Sequence, residues 1–468
     1  MSDRSDLTLG GLTPDEAERE IYSHILSRNP EHDFEPTLDR VQEVTELLGR
    51  PQDSFKVVHL TGTNGKTSTA RMTEALVREH GLRTGLFTSP HLSTVRERIQ
   101  IDGEPISQDA FIRLWQDVAP LIHLVDARSQ EAGGPRLSFF EVLVVLAYAA
   151  FADAPVDVAV IEVGMGGVWD ATNVADGDVA VITTVAMDHQ QWLGDDLAGI
   201  AQEKAGIIKD GATAVIAHQN ERVTPVLVDA IAERGATGLW EGDDLEVIDR
   251  QPGVGGQLVT LRTPAATYAE IFVPLYGEYQ ASNALLALAA VEALMADGGE
   301  PTALAADVVE AGFGSVTSPG RLEVVRTSPM VLVDVAHNPA GIDALVGALE
   351  ESFAFQALVG VVGVLGDKDA EGILAGLEPV LDHVVVTAST SPRAIPADEL
   401  GAIAVDVFGE DRVTIAIDLP DAIDRAVQTA ERDHDMGAGV LVVGSVTVVS
   451  EARILMDADK RKGAGRAR

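Results

Sequence analysis

Residues 62–67 read Gly-Thr-Asn-Gly-Lys-Thr, and their types and spacing suit one task, the holding of a phosphate. The backbone N–H groups of Gly62, Thr63, Asn64 and Gly65 can surround phosphate oxygens, and a helix opening at Lys66 adds the positive end of its dipole. Lys66 would reach the β- and γ-phosphates of a nucleotide, and the Thr67 hydroxyl would ligate its Mg²⁺. The general phosphate-loop pattern asks for a glycine where Leu60 stands, so the motif is met only in part. A glycine turn with a surface lysine is the plainer reading, and it fits the placement behind an apolar strand less well.

Three further groups could complete a Mg²⁺ site, because this ion prefers hard oxygen ligands and needs few carboxylates from the protein. Glu162 ends the apolar run 156–163 (VDVAVIEV) beside Gly164, Gly166 and Gly167. Asp188-His189 follows a second run, 178–185, and Ser89 follows a third, 86–88, just before Pro90. Each has an ordinary alternative: Glu162 as a helix cap, His189 as a buried imidazole, Ser89 as a turn residue. Taken together, at strand ends beside a phosphate loop, they favour a metal site.

The elements that must position these groups are legible as apolar runs. Segment 55–60 (FKVVHL) reads as a buried strand entering the glycine turn, and the helix after it stops at Gly81. Residues 137–151 form an apolar helix ahead of the 156–163 strand, and strand, glycine turn and helix then alternate as in a doubly wound parallel sheet. The first 50 residues are helical and charged. Turn-formers at 314–320 mark a linker, and beyond it a second series places strands at 330–335, 357–365, 383–388, 413–417 and 440–443. A length of 468 residues suits two α/β lobes of this kind.

Composition narrows the function classes. A formal charge of −39 argues against nucleic acid as partner, since a polyanion would be repelled. No apolar run is long enough to span a bilayer and no leader is evident, so membrane partners are not expected and a cytoplasmic location is. The absence of cysteine excludes disulfides and thiolate metal sites.

Six motifs in order carry a resemblance: LTGTNGKTS (60–68), TSPHL (88–92), IEVGMGGVWDATNV (161–174), EKAGIIK (203–209), YQASNALLAL (279–288) and DVAHNP (334–339). Together they resemble the folylpolyglutamate synthase/dihydrofolate synthase family of the Mur ligase superfamily. The resemblance implies an α/β chain with an N-terminal P-loop ATPase domain on a parallel sheet, 1–317, binding ATP and folate. It implies a smaller C-terminal Rossmann-like domain, 318–468, for glutamate ligation. The reaction it implies is ATP-dependent addition of L-glutamate to dihydropteroate or to the glutamate tail of tetrahydrofolates through an acyl phosphate, by a monomer. The alternatives are a Mur-type ligase of a peptidoglycan precursor and a nucleotide-binding protein without ligase activity.

Residue by residue, the resemblance gives one Mg²⁺ to Thr67, Ser89 and Glu162, and a second to Glu162, His189 and Lys204. Lys204 matches a lysine carbamylated by CO₂; read by itself it is an exposed helix lysine. Asn283 matches the adenine contact, Arg321 a phosphate clamp, Asp334 an ATP contact, His337 a glutamate contact and Ser445 another. Lys66, Lys204, His189 and His337 fall at the reacting, catalytic centre. The sequence departs from the pattern at Val168, where arginine is usual, at Gln190-Gln191-Trp192, and at Ser450.

Overall fold

The computed structural model describes residues 9–29, 36–188, 190–296, 299–433 and 437–466, with the side chains of 191, 433 and 458–466 left aside. The chain divides into two compact units: Met1–Asp249, Thr260–Ile271 and Ser282–Val316 form the first, and Arg250–Val259, Phe272–Ala281 and Thr317–Arg468 the second.

The first unit is built on eight strands: β1 (Lys56–Thr61), β2 (Thr84–Phe87), β3 (Ile99–Ile101), β4 (Glu104–Pro105), β5 (Val158–Glu162), β6 (Val179–Ile182), β7 (Thr213–Ile216) and β8 (Thr237–Trp240). Their order is β4-β3-β2-β5-β1-β6-β7-β8. Neighbours from β2 to β8 run parallel, whereas β3 and β4 add an antiparallel edge. Strands β2, β5 and β6 are buried at every position, which is why the sequence shows them as unbroken apolar runs rather than as alternation. The helix Phe139–Asp153 is apolar around most of its circumference and joins the helices Pro14–Leu26, Asp39–Leu47 and Gln108–Glu131 in one core cluster. A second cluster gathers the segments around Leu197–Ala205 and Thr224–Glu233. Six parallel strands fed by helices put the carboxyl ends of β1, β2, β5 and β6 along one edge, where such sheets bind ligands.

Three strands, β9 (Glu246–Gly253), β10 (Gly256–Arg262) and β11 (Thr267–Val273), form a separate sheet that the apolar-run reading did not anticipate. The second unit carries β12 (Glu323–Thr327), β13 (Met330–Val333), β14 (Ala357–Val362), β15 (His383–Val386), β16 (Val413–Ile415) and β17 (Ala438–Val443), in the order β12-β13-β17-β14-β15-β16. All neighbours from β13 to β16 are parallel, and β12 is an antiparallel edge. Helices Pro339–Ser352, Ala370–Leu377 and Ala397–Phe408 share one core cluster with this sheet.

Candidate active site

At the carboxyl end of β1 the backbone takes a shape that only glycine permits. Gly62 has φ of +146°, and a Cβ there would lie 1.8 Å from Thr183 Oγ1; Gly65 has φ of +90°, and its Cβ would lie 2.5 Å from Asn283 Oδ1. The turn is tied to the chain leaving β6. Thr63 Oγ1 donates to the Ala186 carbonyl and accepts the Ala186 N–H, both at 2.9 Å, and Thr183 Oγ1 donates to the Asn64 carbonyl at 2.7 Å. Lys66, at the start of the helix Lys66–Glu79, folds back so that Nζ donates to the Gly62 and Thr63 carbonyls at 3.0 and 3.1 Å.

Glu162 closes β5 with only 1% of its surface exposed. Its Oε1 accepts the Thr67 hydroxyl at 2.8 Å, and its Oε2 accepts the Ser89 N–H at 3.0 Å. The structure therefore brings Thr67, Ser89 and Glu162 together from one helix start and two strand ends. A buried carboxylate that accepts from a hydroxyl and a backbone N–H keeps its charge at the edge of the phosphate turn.

Lys204 overturns the reading of it as an exposed helix lysine. It lies in the helix Leu197–Ala205, is 4% exposed, and donates from Nζ to the Gly62 carbonyl at 2.8 Å. Burial, then the nearby Lys66 charge, lowers its ammonium from 10.5 to about 7, with Asp188, Asp170 and Glu203 acting in the opposite sense. Its helix reaches the turn after β5 because glycines allow it. A Cβ on Gly167 would lie 2.4 Å from the Glu203 carbonyl, and one on Gly206 would lie 2.3 Å from Val168 Cγ2. Val168, where the resemblance leads one to expect arginine, donates its N–H to the Glu203 carbonyl at 3.0 Å and leaves its side chain 44% exposed. A small cleft, open to solvent, is bordered by Gly62, Thr63, Lys66, Gly166, Asp188 and Lys204. His189 lies outside the described residues.

One network at this edge was not assigned from the sequence. Asp170 accepts the Met165 N–H at 2.9 Å and the Thr172 N–H at 3.0 Å, while His59 Nε2 meets Thr172 Oγ1 at 2.8 Å. The Thr172 hydroxyl donates to Asp170, so His59 must donate from Nε2. Burial raises the Asp170 carboxyl to about 6 and lowers the His59 imidazolium to about 3. Thr61 Oγ1 donates to the Gly166 carbonyl at 2.8 Å from the other side. These contacts fix the glycine turn that borders the cleft. The signal was present, since Asp170 and Thr172 fall inside the motif 161–174, but nothing in their spacing shows a link to His59.

Asn283 sits in the helix Glu278–Leu294, buried against the phosphate turn at Gly65. The remaining candidates belong to the second unit. Asp334 follows β13 and accepts the Leu322 N–H at 2.7 Å and the Ala336 N–H at 2.8 Å. Burial raises its carboxyl, and the Arg321 charge opposes that rise. His337 donates from Nδ1 to the Val335 carbonyl at 2.8 Å. The Gly444 N–H donates to the Ala336 carbonyl at 3.2 Å, which sets the turn bearing Ser445 beside the turn bearing His337. Arg321, Asp334, His337 and Ser445 thus gather at the carboxyl ends of β13 and β17. Among the described residues no helix is long and apolar enough to cross a membrane.

Residues 125–291 match the Mur ligase middle domain, and residues 320–446 match the Mur ligase glutamate ligase domain. The chain is 48% identical to the dihydrofolate synthase/folylpolyglutamate synthase of Mycobacterium tuberculosis, over 96% of both chains. It belongs to the dihydrofolate synthase/folylpolyglutamate synthase family. The Escherichia coli family member is 31% identical over 91% of this chain and 92% of its own. Among solved structures, Mycobacterium tuberculosis folylpolyglutamate synthase complexed with ADP and AMPPCP superposes with a TM-score of 0.90 at 47% identity, covering 95% of this chain and 99% of that one. Escherichia coli FolC in complex with DHPP and ADP gives 0.80 at 28% identity, over 94% and 98%. The family's α/β architecture, a mainly parallel sheet followed by a separate α/β unit, is the one expected from the sequence.

Proposed function

We propose that the chain is an ATP-dependent ligase that joins L-glutamate to the carboxylate of dihydropteroate and to the glutamate tail of tetrahydrofolates. The observation that carries this reading is the buried Glu162, held by Thr67 and Ser89 beside a glycine turn on which Lys66 and Lys204 converge. Such a site serves phosphoryl transfer, where catalysis rests on positioning and on neutralising phosphate charge. The ADP, AMPPCP and DHPP complexes of the family members support ATP and a pterin carboxylate as substrates.

In the proposed mechanism Gly62–Lys66 cradle the nucleotide phosphates. Lys66, which turns to carbonyls in the structure, exchanges them for phosphate oxygens. The acceptor carboxylate attacks the γ-phosphorus, ADP leaves, and an acyl phosphate remains. The glutamate amine then attacks the acyl carbon, phosphate departs with the C–O bond electrons, and the amine loses a proton as the amide forms. Asn283 is assigned to adenine, Arg321 and Asp334 to ATP, and His337 and the turn bearing Ser445 to glutamate.

The donors fit Mg²⁺: the Glu162 carboxylate with the Thr67 hydroxyl beside it offers hard oxygens, and this ion needs few protein ligands because it keeps several waters. Thr67, Ser89 and Glu162 would hold one ion, and Glu162, Lys204 and His189 a second. Bound there, Mg²⁺ would offset charge on the phosphates and the acceptor carboxylate. A protonated Lys204 has no lone pair for a metal. Carbamylation removes that conflict: the neutral amine attacks CO₂, an N–C bond forms, a proton goes to water, and an anionic carbamate results. A buried amine titrating near 7 is available for this at neutral pH.

The test is product formation. Purified protein with ATP, Mg²⁺ and L-glutamate is given dihydropteroate or tetrahydrofolate, and the products are weighed by mass spectrometry. Each acceptor gaining one glutamyl residue is expected; no gain on either would overturn the assignment.

A further inference from the structure

Ser445, which the resemblance offers beside His337 as a glutamate contact, is sealed. It follows β17, is 1% exposed, and its Oγ accepts the Val448 N–H at 3.3 Å at the start of the helix Val446–Arg466. Two residues on, Thr447 is only half-buried. Thr447 Oγ1 lies 3.2 Å from Ser445 Oγ and 3.0 Å from the Oγ of Ser389, which sits just beyond β15 and is 8% exposed. Three hydroxyls from two strand ends thus form a short chain with Thr447 in the middle and outermost.

Either hydroxyl of each pair can be the donor, and proton count with exposure narrows which of the three can serve a ligand. A hydroxyl has one proton to give and two lone pairs to receive. Ser445 Oγ already receives the Val448 N–H, so its own proton is available for Thr447. Ser389 can donate to the same atom from the other side. With both lone pairs of Thr447 Oγ1 filled in this way, its single proton is left for a partner outside the trio. The reverse order would spend the Thr447 proton inside and leave an outward proton on a serine that is nearly closed off from solvent.

We propose that Thr447 Oγ–H is the hydroxyl that binds a carboxylate of the incoming glutamate, with Ser445 and Ser389 as positioning residues that orient it. The inference rests on the reading of this strand edge as the amino-acid seat. That edge also carries His337, through the bond from Gly444 N–H to the Ala336 carbonyl. A hydroxyl donating to a charged carboxylate contributes enough that its loss weakens binding about tenfold or more.

The experiment is steady-state kinetics on the full chain, varying L-glutamate at saturating ATP and pterin acceptor, with thermal melting as the folding control. Thr447→Val keeps the shape and removes the proton; its KM for glutamate should rise about tenfold, while kcat and the KM for ATP stay within about twofold. Thr447→Ser should restore the KM, which a role confined to packing would not predict. An unchanged glutamate KM in Thr447→Val, with a raised one in Ser445→Ala, would overturn Thr447 as the contact and keep the amino-acid seat. An unchanged KM in both folded variants would overturn the seat as well. Should Thr447→Val not fold, Ser389→Ala carries the same expectation, and an unchanged glutamate KM there would overturn the proposal.

Discussion

Replacing Lys204 by Met should abolish ligation and yet make the protein more stable. The ammonium of Lys204 titrates at about 7 in the fold against 10.5 when free, chiefly because burial strips its water. At about 1.4 kcal/mol for each pH unit, keeping this group buried costs about 5 kcal/mol at pH 7. Methionine has similar length and no charge to desolvate. It forfeits the 2.8 Å bond to the Gly62 carbonyl, about 1 kcal/mol, so the net gain is roughly 2–4 kcal/mol. The sign follows from proton uptake. As pH falls from 10.5 the unfolded chain is protonated first, so the cost grows down to about pH 7 and is constant below it. Melting in CO₂-depleted buffer should therefore show Lys204→Met several degrees above the parent at pH 7. That gap should narrow as pH approaches 10. A variant less stable than the parent at pH 7, with a gap that does not change with pH, would refute the reasoning and mean that the amine sits charged and well solvated.

Other outcomes follow from the same geometry. Glu162→Gln keeps the size of a buried side chain but removes the charge that receives Thr67 and Ser89; glutamate-dependent phosphate release should fall at least about 100-fold with the circular dichroism spectrum unchanged. Gly62→Ala places a Cβ 1.8 Å from Thr183 Oγ1, so nucleotide binding measured by calorimetry should be lost or weakened more than tenfold, an effect that a surface turn would not show. His59 is held neutral with a value of about 3 against 6.5 when free, so the unfolded chain takes up this proton first and stability is lost as pH falls from 6.5. His59→Gln should flatten that loss in denaturant melts between pH 6.5 and 4, and an unchanged slope would contradict the assignment.

What the sequence discloses and what it withholds differ for physical reasons. Strands β1, β5, β6 and β14 are buried on both faces, so their apolar runs announce them whatever surrounds them. Strand β9 has no buried position and β10 and β11 mix buried with exposed ones, with Ile248, Leu258 and Phe272 open to solvent, so no unbroken apolar run marks them. The phosphate turn was legible because Gly62 and Gly65 are local requirements of backbone shape. The burial of Lys204 was not, since a nine-residue helix carries no mark of what covers it. That cover comes from residues about 40 and 140 positions earlier, at Gly167 and Gly62. The link from His59 through Thr172 to Asp170 was hidden in the same way: it joins β1 to the turn between β5 and β6, which meet only in the folded sheet. Thr447 stood two residues from the serine that the motif pointed to, and only exposure distinguishes them.

The most direct test of the central claim is phosphate release by the purified protein with ATP and Mg²⁺, with L-glutamate and a pterin acceptor present together or singly. Release that requires both, with dihydropteroate or tetrahydrofolate as acceptor, is the predicted result. Release that ignores glutamate, or none with any acceptor while ATP still binds, would contradict it.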